Sequence, residues 1–157
     1  QSISKYDNNY SLDLSYTLSY KRSTYGHHKN LAHQGHLASV LKYIVYEQKT
    51  DAKTYVSGLN CFPDTAAAEM NAVKKHFGKT GGRVAYHAYQ SFAPGEVTPA
   101  QAHQIGVQLA NELWGDRFQV VVATHLDCGH LHNHFVLNSV SFSDGKRFHS
   151  DAAFLHR

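Results

Sequence analysis

Residues 11–20, Ser-Leu-Asp-Leu-Ser-Tyr-Thr-Leu-Ser-Tyr, alternate polar and apolar positions, the period of a half-buried strand. Residues 21–35 are polar, with Gly26, His27, His28, Lys29 and Asn30, and read as a loop. The period then changes. Leu37, Val40, Leu41, Ile44 and Val45 recur at helical spacing and predict an amphipathic helix over 36–47. Residues 54–59 read as a short strand. Asp64 is placed to cap a second helix with Met70, Val73 and Phe77 inward and Gly78 at its end. After a Gly81-Gly82 turn, the aromatic-rich stretch 83–92 predicts a strand that Pro94-Gly95 breaks. Thr98-Pro99-Ala100-Gln101 is a capping box with proline at the first helical position, opening a helix whose apolar face is Ala102, Ile105, Leu109 and Leu113. The apolar run Val120-Val121-Val122-Ala123 predicts an interior strand over 119–126. Asp127-Cys128-Gly129 turns the chain into another strand over 131–142, and 143–146 is a turn before a last helix begins. The strands near 120 and 135 are joined by too few residues for a parallel crossover, so they are expected to be antiparallel neighbours. The mixed order predicts an α+β fold, a central antiparallel sheet with helices packed on its faces.

Composition narrows the function classes. A chain of 157 residues fits one domain, or one domain with an extension. Its 42% hydrophobic and 17% charged residues exclude disorder. The net charge of +3 permits a nucleic-acid partner without announcing one. No apolar run approaches the roughly 18 residues of a membrane span, and no signal-peptide pattern opens the chain, so a cytoplasmic location and no membrane insertion are expected. The two cysteines, Cys61 and Cys128, are too few for a disulfide scaffold and form no Cys-x-x-Cys pair. Beginning at Gln1 and stopping in a helix-like Phe154-Leu155-His156-Arg157, the sequence reads as a fragment of a longer protein. The outliers are 13 histidines and 10 tyrosines.

Most of the histidine information lies in Thr124-His125-Leu126-Asp127-Cys128-Gly129-His130-Leu131-His132-Asn133-His134-Phe135-Val136-Leu137-Asn138. Side chains two apart on a strand share a face, so His130, His132 and His134 point one way, and a tight antiparallel turn returns them beside His125. Imidazoles converging from two adjacent strands make a metal site, and burying such a group without a ligand is costly. Cys128 as a fourth ligand would close the site as structural zinc sites are closed; three ligands with open positions suit catalysis better. Asp127 is either an acceptor that orients an imidazole or a turn residue. Of the other histidines, His27, His28, His33, His76, His103 and His156 read as surface or loop residues with no assigned work.

His125-x-Asp127, followed by His132-x-His134 and Phe135-Val136-Leu137-Asn138, resembles the metal motif of conjugative relaxases, the mobilisation nucleases of the His-hydrophobe-His endonuclease superfamily. Tyr86-His87-Ala88-Tyr89-Gln90-Ser91-Phe92 with Pro94-Gly95-Glu96-Val97-Thr98-Pro99 resembles the strand and helix start that precede that motif in the mobilisation-protein and T-DNA border-nuclease branch. Leu41-Lys42-Tyr43-Ile44 with Lys49-Thr50 resembles the branch's nucleophile helix. The resemblance covers residues 35–157 and implies a relaxase nuclease domain there, truncated at its C-terminus, with 1–34 as an N-terminal extension or an extra strand. It implies His125, His132 and His134 as metal ligands, with His130 as a proton-transfer group and Asp127 beside them. The implied chemistry is site- and strand-specific cleavage of single-stranded DNA at a transfer origin, through a tyrosine that becomes linked to the 5′ phosphate. Accessory DNA-binding and coupling or secretion proteins are the implied partners. Three imidazoles suit Zn, Mn, Ni or Co by affinity; Mg prefers oxygen, and Mg or Mn is expected in the cell with phosphate oxygen completing the sphere.

A phenol ionises only near pH 10, so a tyrosine nucleophile needs a cation close by. Relative to the apolar face of the first helix, Tyr43 lies roughly 120° away and Tyr46 roughly 180° away. Tyr43 thus flanks the packed face and is the expected nucleophile, while Tyr46 faces solvent. Tyr86 and Tyr89 fall on opposite faces of their strand. His87 and Ser91 share a register there, bordering the site, with Gln90 facing away. Lys42, Tyr46, Lys49, Arg83, His87, Ser91, Asn138 and Arg147 complete the candidate DNA contacts. The alternatives are a replication-initiator or transposase nuclease, whose nucleophile follows the histidine pair, a zinc hydrolase of small molecules, and a non-catalytic metal-stabilised DNA-binding module. No tyrosine follows Tyr89 here.

Overall fold

The computed structural model describes residues 18–19, 33–46, 49–51, 53–126 and 129–149. They form β1 (Leu18–Ser19), α1 (His33–Ile44), β2 (Val56–Leu59), α2 (Ala66–His76), β3 (Ala85–Ser91), α3 (Pro99–Trp114), β4 (Val120–His125) and β5 (His132–Asn138). The strands make one sheet in the order β1-β3-β5-β4-β2, and every neighbouring pair is antiparallel. This is the expected α+β architecture. The hairpin of β4 and β5 lies inside the sheet, flanked by β2 and β3.

Both faces of that hairpin are covered, which is why β4 reads as an unbroken apolar run. On one face Val121, Ala123 and Val136 pack with Leu37, Leu41 and Ile44 of α1 and Ala66 and Met70 of α2. On the other, Val120, Val122, Phe135 and Leu137 pack with Ala110, Trp114, Phe118 and Phe148. Register is therefore stringent. A slip of one residue in β5 would exchange the side chains of the two cores.

Several local expectations are revised. The first helix starts at His33, not near residue 36. Asp64 does not cap α2. Thr65 stands at the N-cap, and the Glu69 carboxylate accepts from Phe62 N at 3.0 Å and from Thr65 Oγ1. The capping box at Thr98 and Gln101 is present as expected. Yet α3 buries Ala102, Gly106, Ala110 and Trp114, while Ile105, Leu109 and Leu113 only flank the contact. Small residues at every fourth position let the helix backbone approach a sheet whose own large side chains fill the gap. Of the alternating stretch 11–20, Leu18–Ser19 pairs with Tyr89 and Gln90 at the sheet edge. The rest of it and the final helix lie outside the described residues.

Candidate metal centre and nucleophile

The β4–β5 register builds the cluster. His125 stands opposite His132, and Ala123 stands opposite His134. Alternation then puts all three imidazoles on the α1/α2 face, at the end of the sheet nearest the last turn of α1. Their ligand nitrogens lie within 4.8 Å of one another. Ring centroids of His134 are 4.1 Å from His125 and 4.8 Å from His132.

Two of the three rings are held from behind. His125 is fully buried and its Nε2 donates to the Ile44 carbonyl at 2.8 Å. That carbonyl is one of the orphan acceptors of a helix C-terminus, so one bond both closes α1 and fixes the tautomer, leaving Nδ1 as the ligand atom. The Nδ1 of His134 is bonded to His87 Nε2 at 2.8 Å, and its Nε2 is buried without a hydrogen-bond partner. A buried nitrogen in that condition is costly, and a cation shared with His125 and His132 relieves the cost. The residues present therefore fit a divalent metal. Burial, then the fields of His125, His87, His132 and Lys49, push the His134 pKa down to about 2. Burial and His125 push His87 down to about 4. Both rings are held neutral, the form that binds metal.

Tyr43 leaves α1 beside this cluster. Its ring is half exposed and meets His125 and His134 edge-on, at centroid distances of 5.9 and 6.3 Å. The Lys49 ammonium stands 4.9 Å from the Tyr43 ring centroid. The loop carrying Lys49 is tied to the site, since Leu126 N donates to Lys49 O at 2.9 Å and the buried Thr50 hydroxyl donates to Tyr46 O at 3.1 Å.

The remaining candidates separate. His130 is exposed, with its ring 5.6 Å from His132, at the open rim. Ser91 stands opposite His132 in register and is exposed on the same rim. Lys42 and Tyr46 are exposed at the end of α1. His87 is not at the rim. It lies behind His134 as an orienting partner. Asn138 keeps the ligand-face register but is wholly buried, donating to Gln119 Oε1 at 2.9 Å and Met70 O at 3.3 Å, so a DNA strand does not reach it. Arg83 and Arg147 sit near the far end of β3 and β5, about 20 Å along the strands from His132. There Arg83 covers the Tyr86 ring, and the Arg147 guanidinium donates to the carbonyl of Gly81 at 2.6 Å. Asp127 and Cys128 lie outside the described residues. Of the two strand tyrosines, Tyr86 is the one facing the core around α3, its hydroxyl donating to Phe148 O at 2.9 Å. Tyr89 faces the cluster, with its ring 5.7 Å from His134.

One group was absent from the expectations. His103, read as surface, is half-buried on α3, and both ring nitrogens are bonded: Nε2 to Ser57 Oγ at 2.7 Å and Nδ1 to Thr124 Oγ1 at 2.9 Å. The available signals were a threonine ending the apolar run of β4 and a glycine, Gly106, inside the α3 helix.

Residues 42–157 match the family described as relaxase, MobA/VirD2-like, nuclease domain. A Staphylococcus aureus protein named protein rlx is 42% identical over 100 residues, covering 64% of this chain and 30% of the relative. A second S. aureus protein rlx is 40% identical over 117 residues, covering 74% of this chain and 36% of that protein. The group II intron-interrupted relaxase LtrB of Lactococcus lactis subsp. cremoris (strain MG1363) is 33% identical over 147 residues, covering 76% of this chain and 26% of LtrB. The chain thus spans about a third of the length of these relatives. No solved structure matches it. Among the described residues, no helix is long and apolar enough to cross a membrane.

Proposed function

This chain belongs to the relaxase family, through its MobA/VirD2-like nuclease domain, and from that premise we propose that it nicks one strand of DNA at a transfer origin during mobilisation. The observation that carries the reading is the placement of a half-exposed Tyr43 edge-on against His125 and His134. A phenol in that position meets a phosphate seated over the cluster. The Tyr43 oxygen attacks phosphorus, a Tyr–O–P bond forms as the P–O3′ bond breaks, and the phenol gives up its proton while the departing 3′ oxygen takes one up. His130, exposed at the rim beside His132, is the group assigned to move that proton. Rejoining is the reverse step, with the 3′ hydroxyl attacking the phosphotyrosine.

His125, His132 and His134 would hold a divalent cation, Mg or Mn in the cell, which when bound would supply charge against the phosphate oxygens. His125 and His134 are fixed by Ile44 O and His87, so the pocket is ordered before DNA arrives, and electrostatic stabilisation needs no rearrangement at the moment of reaction. Lys49 adds positive charge on the Tyr43 side, with Lys42 and Tyr46 at the end of α1 and Ser91 on the opposite rim as further contacts to the strand.

Labelled single-stranded oligonucleotides from candidate transfer origins, incubated with the protein and Mn, test the reading. A shortened strand and a protein–DNA adduct that survives a denaturing gel are expected from the native chain. Tyr43→Phe is expected to lose both. An adduct that persists in Tyr43→Phe moves the nucleophile elsewhere, with Tyr89 the next phenol to examine.

A further inference from the structure

Directly behind the histidine cluster, on the opposite face of the sheet, a row of hydrogen-bonded polar side chains crosses four strands. Ser57 of β2 bonds His103 Nε2 at 2.7 Å, and His103 Nδ1 bonds Thr124 Oγ1 of β4 at 2.9 Å. Thr124 Oγ1 donates to Asn133 Oδ1 of β5 at 2.6 Å, and Asn133 Nδ2 donates to Gln90 Oε1 of β3 at 3.0 Å and to Ala102 O of α3 at 2.7 Å. Thr124 and Asn133 are fully buried and Gln90 nearly so.

The proton directions follow from the partners. Asn133 Oδ1 can only accept, so the Thr124 hydroxyl proton points at it. Thr124 Oγ1 therefore accepts from His103, and the proton of neutral His103 is on Nδ1, leaving Nε2 to accept from the Ser57 hydroxyl. The chain runs one way, from Ser57 through His103 and Thr124 to Asn133, and every polar atom of Asn133 is used.

The placement gives this row its meaning. Thr124 is bonded through its peptide to His125, and Asn133 stands between His132 and His134. Thr124 and Asn133 are directly opposed in register, between the His125–His132 and Ala123–His134 pairs. Fixing that pair from behind fixes the spacing of the three imidazoles in front. Gly106 lets α3 press on it, because a Cβ there would stand 2.5 Å from Asn133 Nδ2. We propose that His103 is a positioning residue for the metal centre, setting the ligand geometry of His125, His132 and His134 through Thr124 and Asn133.

The inference rests on the metal reading given above, and the experiment separates the two. Mn affinity of the full chain is measured by electron paramagnetic resonance, with melting temperature in chelator as the record of apo stability. The native chain is expected to bind Mn; no binding overturns the metal reading and this inference with it, whereas binding without DNA nicking counts against the nicking reading and leaves this one standing. His103→Phe keeps an aromatic ring and removes both nitrogens, and is expected to weaken Mn roughly 10-fold or more, the usual cost of losing a group that orients ligands. His103→Asn restores a donor toward Thr124 and is expected to recover most of that loss. Val107→Ala, on α3 but outside the row, controls for loosened helix packing and is expected to lower the melting temperature at native Mn affinity. Native affinity in a folded His103→Phe overturns the proposal, as does an equal loss in Val107→Ala. Should His103→Phe not fold, Thr124→Val against Thr124→Ser asks the same question: the hydroxyl-bearing variant is expected to hold Mn and the other to lose it, and equal affinity in both overturns the proposal.

Discussion

His125 and His132 face each other across one hairpin but are held differently, and the difference predicts different losses. His125 is buried and closes the Ile44 carbonyl; His132 is half-buried at the end of β5. His125→Ala is expected to abolish metal binding and also to cost about 1–3 kcal/mol of stability, because a buried carbonyl is left without a donor. His132→Ala should remove metal binding to a similar extent while costing under about 1 kcal/mol, the range of substitutions away from the core. Metal titration and urea unfolding on the two variants check this, and equal destabilisation would refute the ordering. The same pair shows what a sequence discloses at this scale. Period-2 alternation and a short turn were enough to bring His125, His130, His132 and His134 together, and the family resemblance picked His125, His132 and His134 from among them. They were not enough to reveal that His125 caps a helix lying 81 positions earlier, because nothing local records which carbonyl an imidazole meets.

At the scale of elements, α3 carries the clearest lesson. Apolar periodicity selected Ala102, Ile105, Leu109 and Leu113 as its packed face, yet of these only Ala102 is buried, and the buried positions are Ala102, Gly106, Ala110 and Trp114. Hydrophobicity reports burial, but close approach is set by the absence of side chain, and a scan for apolar periodicity is blind to that. Gly106 tests the explanation. In an exposed helix interior, glycine to alanine gains about 1 kcal/mol from propensity. Here the new Cβ would meet Asn133 Nδ2 at 2.5 Å and Cγ at 2.8 Å, and Asn133 is pinned by three hydrogen bonds. Overpacking of that kind costs about 1–3 kcal/mol, so Gly106→Ala should be less stable than the native chain in urea. A more stable variant would mean that α3 can lift away from the sheet without penalty. The hairpin of β4 and β5 was legible for the opposite reason, since its turn is too short for any other connection. The pairing of β2 with β4 was not legible, because two helices and a strand intervene and only the assembled core chooses that edge.

The whole molecule is a sheet gripped on both faces, and a buried lysine tests how firmly one side is held. Lys74 of α2 is only 3% exposed, with Nζ reaching Met70 O at 3.4 Å. Burial first, and the Arg147 charge second, lower its pKa from 10.5 to about 8. The native state therefore binds this proton less tightly than the unfolded chain. The contribution of Lys74 is most favourable above pH 10.5, declines as pH falls from there to about 8, and is constant at its least favourable below that. Replacing the lysine by a neutral chain of similar length removes the penalty where it is largest. Lys74→Met is expected to be more stable than the native protein at pH 7, on the order of 2 kcal/mol, with the advantage shrinking by pH 10. Comparing the two proteins by urea unfolding at both pH values cancels the other alkaline titrations. A difference independent of pH would show that Lys74 keeps a solvated ammonium in the folded chain, and that the seam between α2 and the far end of the sheet is open to water.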